Sequence, residues 1–190
     1  MDLKIKETDV WDFLSEDKKP VVIYGMGNAA ERIIDLLKEK GIEISDIFAS
    51  DEFVRGHSFL GYKVLKYADI CEKYEDFNVV LAFATRLPEV IENISRINAE
   101  HRVFAPDIPV AGGGLFTGKY FEEHRSEFEE VFSLLADNES KRVYENVINY
   151  KISGKIGYLL ACCEYDKNKI YSDILKLCDN EIIIDAGAYD

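Results

Sequence analysis

The stretch VVIYGMGNAAERIIDLLKEKG, residues 21–41, decides how the chain is read. Its first four residues, Val21, Val22, Ile23 and Tyr24, are β-branched or aromatic, with no polar position among the aliphatics. That pattern suits a strand buried on both faces of a parallel sheet rather than one with a wet face. Gly25 and Gly27 follow as a short glycine loop. Ala30, Ile33, Ile34 and Leu37 then recur at helical spacing. Asn28 is expected as the N-cap, Glu31 as its capping partner and Gly41 as the stop. Strand, glycine loop and helix open a Rossmann-like βαβ unit.

Upstream, Val10, Trp11, Phe13 and Leu14 predict a short helix that caps the core and ends at Pro20. Downstream, residues 44–50 read as a second strand ending at Asp51. Asp51 lies 24 positions after Gly27, near the offset of about 20 at which such folds place a ribose-binding carboxylate. Ala30 stands where the third glycine of G-x-G-x-x-G would be, a tolerated variant. GYKVLKY (residues 61–67) predicts a short strand entering a helix that runs through Cys71 to Tyr74. Residues 79–83 predict another strand, and Pro88 opens a helix with Ile91, Ile94 and Ile97 inward. HRVF (residues 101–104) is the last strand. Five parallel strands alternating with helices give one doubly wound α/β domain over residues 1–109. Gly25, Gly27, Asn28 and Asp51 are its candidate nucleotide-binding residues; the competing reading is that the two glycines only shape a tight turn.

The 190 residues, 47% hydrophobic with 11 Phe and 11 Tyr, hold one full domain plus part of another. The formal charge of -13, from 36 acidic against 23 basic residues, counts against binding nucleic acid or an anionic membrane surface. A small anion at a local helix N-terminus stays open. Cys71, Cys162, Cys163 and Cys178 show no C-x-x-C spacing, and His57, His101 and His124 are scattered. No metal site is expected, and the cysteines are expected reduced and mostly buried. The N-terminus has no secretory apolar region and no apolar run is long enough to span a bilayer, so a cytoplasmic location is expected.

PDIPVAGGGLFTG (residues 106–118) is the Pro/Gly-rich stretch, and residues 110–118 are expected to link two domains. Lys119 comes too late for a P-loop. In residues 119–190, Phe121, Phe128, Val131, Phe132 and Leu135 predict one helical face, with Glu122, Glu123, Glu127, Glu129 and Glu130 solvated elsewhere. Asp137 or Ser140 caps a further helix with Val143, Val147 and Tyr150 inward, broken by Gly154 and Gly157. Tyr165 and Tyr171 are read as packing residues. In the closing EIIIDAGAYD (residues 181–190), Ile182, Ile183 and Ile184 predict a buried strand, Asp185 its end and Gly187 the turn. Ligands of open α/β sheets bind outside the carboxyl ends of the strands, where such a turn sits.

IIIDAGAYD resembles the S-adenosylmethionine-binding motif of FkbM-type methyltransferases, whose string continues with Gly-Asp-Thr into a helix. LLADNESKRVYENVINYKISG (residues 134–154) and EYDKNKIYSDILKLCDNE (residues 164–181) resemble that family's lead-in. In outline, residues 1–109 resemble the nucleotide- or sugar-binding N-terminal modules of such proteins and of some bacterial sugar-modifying enzymes. The resemblance implies that residues 119–190 begin a class I methyltransferase domain, incomplete within its first cofactor loop. S-adenosylmethionine would be held there by Asp185, Ala186, Gly187, Ala188, Tyr189 and Asp190. The implied reaction is O-methylation of a sugar or another small-molecule acceptor. The ribose-holding acid and acceptor pocket are expected beyond Asp190, so this chain alone is expected to be inactive. Two other readings stand beside it: a nucleotide or nucleotide-sugar binding module, and an assembly module without a small ligand. An NAD-dependent dehydrogenase is not expected, because no catalytic Tyr–Lys pair is found in a suitable place. The acceptor and the oligomeric state stay open.

Overall fold

Strand β1 (Val21–Tyr24), every residue of it buried, lies inside a six-stranded sheet. It runs parallel to β2 (Asp46–Phe48) on one side and β5 (Asn78–Leu81) on the other. β2 pairs in parallel with β4 (Tyr62–Leu65), and β5 with β6 (Arg102–Phe104). A short β3 (Ser58–Phe59) closes the β4 edge antiparallel, giving the order β3-β4-β2-β1-β5-β6. The computed structural model describes residues 3–109, 112–163, 166, 168–182 and 184. The architecture is a mixed α/β sheet flanked by helices, of generic Rossmann-like form.

The sheet is buried on both faces, which is why β1 reads as an unbroken apolar run. Ile23, Ile47 and Val80 meet Ala30, Ile33, Ile34 and Leu37 of α2 (Asn28–Glu39), with Val10, Trp11 and Leu14 of α1 (Val10–Glu16) in the same cluster. Val22, Tyr24, Phe48 and Val79 meet Ile70 of α3 (Tyr67–Lys73) and Ile94 and Ile97 of α4 (Pro88–Glu100). Consecutive strand residues therefore feed opposite layers.

The sheet departs from the expected all-parallel, five-stranded form at β3. Leu60 and Gly61 both have positive φ, 50° and 86°, the backbone of a two-residue primed hairpin turn. Asn28 is not the N-cap of α2. Gly27 occupies that position, its carbonyl accepting from the Glu31 amide at 3.1 Å, and no side chain caps the helix. The helix begins one residue early because extended Gly27, at φ 173°, already aims its carbonyl down the axis.

The C-terminal helices are α5 (Gly118–Glu123), α6 (Arg125–Leu134), α7 (Asn138–Ser153) and α8 (Ile156–Leu160). The single apolar face expected from Phe121 to Leu135 is broken at His124, φ −116° and ψ 15°, so that Phe121 and Phe132 are buried while Val131 is 46% exposed. Asp137 caps α7 as expected, accepting from the Ser140 amide at 2.7 Å, and left-handed Gly154 ends it. Its buried face carries Ile148, Asn149, Ile152 and Ser153 rather than Val143, Val147 and Tyr150. Asn149 is drawn inward because its side chain accepts from Lys6 N at 3.2 Å and donates to Lys4 O at 3.1 Å.

Contacts tie these helices to the sheet. Ala105 N donates to Gly154 O at 2.6 Å, Asp9 accepts from Gly118 N at 2.8 Å, and Lys151 meets Asp107 at 2.5 Å. The strand expected at residues 182–184 is not formed at its described positions. Ile182 and Ile184 are 90% and 86% exposed, and every named strand pairing lies within the sheet around β1. A strand without a neighbour has nowhere to place its backbone hydrogen bonds. Cys71, Cys163 and Cys178 are exposed and Cys162 half-buried, all of them free thiols rather than core residues. Tyr171 is 51% exposed, not packed.

Candidate ligand-binding site

The strand order reverses direction between β1 and β5, because the chain builds outward through β2 and β4 and then returns past β1. Ligands of such sheets bind beyond the carboxyl ends of the strands at this reversal. Two of the candidate glycines sit there with different local physics. Gly25 leaves β1 with φ 119°, and a Cβ on it would stand 2.8 Å from Cδ1 of Phe83. Only glycine accommodates both the backbone and the ring. Gly27 is extended and exposed, with nothing within 4 Å of an added Cβ. It opens the N-terminus of α2, where Asn28 and Ala29 are also exposed. Uncapped amides at a helix start favour an anion.

Beside this loop, on the α3/α4 side of the sheet, lies a cleft of about 520 Å³. Its floor is Tyr24 stacked on Phe48, centroids 4.5 Å apart, with Phe83 edge-on to Tyr24 at 4.9 Å. The Tyr24 hydroxyl shares a 2.8 Å hydrogen bond with Ser50 Oγ and accepts from Asn93 Nδ2 at 3.1 Å. Arg96 donates to Asn93 Oδ1 at 2.9 Å and lies 5.1 Å over the Tyr67 ring. The Tyr67 hydroxyl donates to Glu100 at 2.6 Å; burial and that carboxylate together hold its pKa well above the ordinary phenol range. Asp51 lines the same cleft at the start of a 3-10 turn, Asp51–Phe53, with the Lys66 ammonium 3.5 Å away.

Of the four residues expected to hold a nucleotide, Gly25 and Gly27 thus lie in the loop between β1 and α2 and Asn28 opens α2, while Asp51 belongs to the neighbouring cleft. Tyr24, Ser50, Asn93 and Arg96 complete that cleft without having been singled out from sequence. The one local hint is a tyrosine closing an otherwise aliphatic strand. Tyr62 and Lys66 have the four-residue separation of a dehydrogenase pair, but Tyr62 lies on the extended β4, along which four residues span about 13 Å rather than one helical turn. The residues implied to hold S-adenosylmethionine, Asp185 to Asp190, lie outside the described residues. Among the described residues no cluster of three or more His, Cys, Asp or Glu side chains can hold a metal ion, and no helix is long and apolar enough to cross a membrane. No family model matches the chain, and neither a curated protein nor a solved structure matches it.

Proposed function

We propose that the α/β domain binds a nucleotide or nucleotide-sugar at the carboxyl end of its sheet. One observation carries the reading: an exposed, uncapped α2 N-terminus behind Gly25 and Gly27, directly at the strand-order reversal between β1 and β5. A diphosphate laid against the α2 amides would face partial positive charge, and Gly27 leaves room for it. Calorimetric titration with UDP, UDP-glucose and NAD tests this, with Gly27→Val as the blocking variant. Binding that Gly27→Val weakens at least tenfold is the expected result. No heat with any of the three ligands refutes the reading.

A second reading rests on the resemblance of residues 134–190, not on the cleft. It makes the chain the N-terminal portion of an S-adenosylmethionine-dependent O-methyltransferase of FkbM type acting on a small-molecule hydroxyl. Asp185 and Gly187 would hold the cofactor, which supplies a methyl group already activated on sulfur. Titration with S-adenosylmethionine separates the readings, with Asp185→Asn and Gly187→Val as the variants that abolish it. Heat that neither variant changes counts against this second reading; where no heat appears, the coding sequence after Asp190 decides, a Gly-Asp-Thr leading into an amphipathic helix supporting the reading and any other continuation overturning it.

A further inference from the structure

We infer that the cleft between β1, β2 and α4 takes the hydroxyl-rich part of the ligand, a sugar ring, and excludes its phosphates; this rests on the nucleotide reading above. The argument begins with hydrogen-bonding capacity. Tyr24 Oη and Ser50 Oγ share one hydrogen bond in which either is the donor, and Asn93 Nδ2 donates to the Tyr24 oxygen. If Tyr24 donates, the Ser50 proton is left for a ligand; if Ser50 donates, its two lone pairs and the Tyr24 proton are left instead. Asn93 keeps a second amide proton. This relay presents a donor or an acceptor as required, which matches a sugar hydroxyl, itself both. A phosphate only accepts.

Charge points the same way. Asp51, Glu52 and Glu89 line the cleft; Lys66, 3.5 Å from Asp51, offsets one of them, and the lining cation Arg96 has its guanidinium already engaged by Asn93 and by Glu100 at 3.3 Å. A phosphate there meets three carboxylates, whereas a hydroxyl donates to any of them. Tyr24 and Phe48, stacked on each other and almost fully buried, close the cleft from below and leave contact with the ligand to its polar rim. At about 520 Å³ the cleft falls in the range of small-molecule sites. The division of labour is then spatial, with phosphates on the α2 side of β1 and the sugar on the α3/α4 side.

The test is titration of the full chain and of Asn93→Leu with UDP and with UDP-glucose. Loss of the relay is expected to weaken binding about five- to tenfold, the equivalent of one or two neutral hydrogen bonds. If UDP-glucose alone weakens, the hexose occupies the cleft; if both weaken equally, the ribose does; either result supports the inference. If Asn93→Leu changes neither affinity, the inference is overturned while the nucleotide reading stands. If the unmodified chain binds neither ligand, both fall together. Ser50→Ala, a smaller change at the same relay, carries the same test should Asn93→Leu fail to fold.

Discussion

Replacing Gly25 with alanine is expected to destabilise the fold through two separable causes. The backbone sits at φ 119°, a conformation that costs a residue with a side chain about 1–3 kcal/mol. The new methyl carbon stands 2.8 Å from Cδ1 of Phe83. That ring cannot swing away without cost, because it packs edge-on to Tyr24, which is stacked on Phe48; such overpacking costs about 1–3 kcal/mol. The sum is about 2–6 kcal/mol, a fall in melting temperature of roughly 4–24 °C for a chain of this size. Urea unfolding followed by fluorescence measures it, since Trp11 is the only tryptophan and is 3% exposed. Repeating the substitution in a Phe83→Ala background removes the collision and leaves the backbone cost, so the alanine should then cost less by the overpacking share. Gly27→Ala is the control: extended backbone and open space predict a change within about 0.5 kcal/mol. If Gly25→Ala is equally neutral, the loop is not the rigid turn described. If its cost is the same in both backgrounds, Phe83 plays no part.

Two further outcomes follow from other contacts. Asp9 accepts from Trp11 N at 2.9 Å with one carboxylate oxygen and from Gly118 N at 2.8 Å with the other, capping α1 and holding the start of α5 at once. Asp9→Ala should cost about 2–4 kcal/mol in urea unfolding, and a cost no greater than a surface substitution would show that the second tie is idle. Tyr158 is pushed up to about 12 by burial and by the Glu7 carboxylate that its hydroxyl meets at 2.5 Å. A phenol raised above its unfolded value of about 10 contributes stability that is complete below that pH and fades as pH rises toward 12. Ultraviolet titration of phenolate should therefore show a late-ionising fraction that shrinks in Tyr158→Phe; an unchanged profile contradicts the assignment.

What the sequence disclosed depended on how local each feature is. β1 was legible because burial on both faces leaves a four-residue apolar run, and Leu37 and Gly41 marked the far end of α2. β3 was not, since two residues, Ser58 and Phe59, carry no period. The inward face of α7 was misread because apolar spacing cannot anticipate Asn149, buried by hydrogen bonds to Lys4 and Lys6, more than 140 positions away. The break at His124 was hidden for a similar reason, as Phe121 and Phe132 continue a helical period across it. In the site, glycine spacing located the loop but could not separate a Gly25 demanded by sterics from a Gly27 that leaves open space. The cleft stayed invisible because Tyr24, Ser50 and Asn93 come from three different segments and meet only once β1, β2 and α4 are assembled.

Size alone would have placed the site elsewhere. A cleft of about 1010 Å³ runs along β6 from the amino-terminal end of the sheet, past Lys19, Asp76, His101 and Arg102 to Lys155 and Tyr158. Its charges are largely spent on one another. Lys155 meets Glu7 at 2.5 Å, Lys19 pairs with Asp76, and Arg102 reaches Asp17 at 3.0 Å. Helix polarity also separates the two ends. Because α2 and α4 each follow a parallel strand, their N-termini collect at the carboxyl end and their C-termini at the other. The α2 start has no side-chain cap, so its first amides stay open to a ligand, whereas α4 opens on Pro88, which has no N–H, with the Val90 amide already bonded to Leu87 O at 3.1 Å. The His101 amide, by contrast, closes the last turn of α4 on Ile97 at 2.8 Å. An anionic ligand gains at the first end and is opposed at the second. The smaller cleft is therefore the one whose surroundings can hold a phosphate beside a sugar, and the larger one is a seam between the sheet and the helices that follow it.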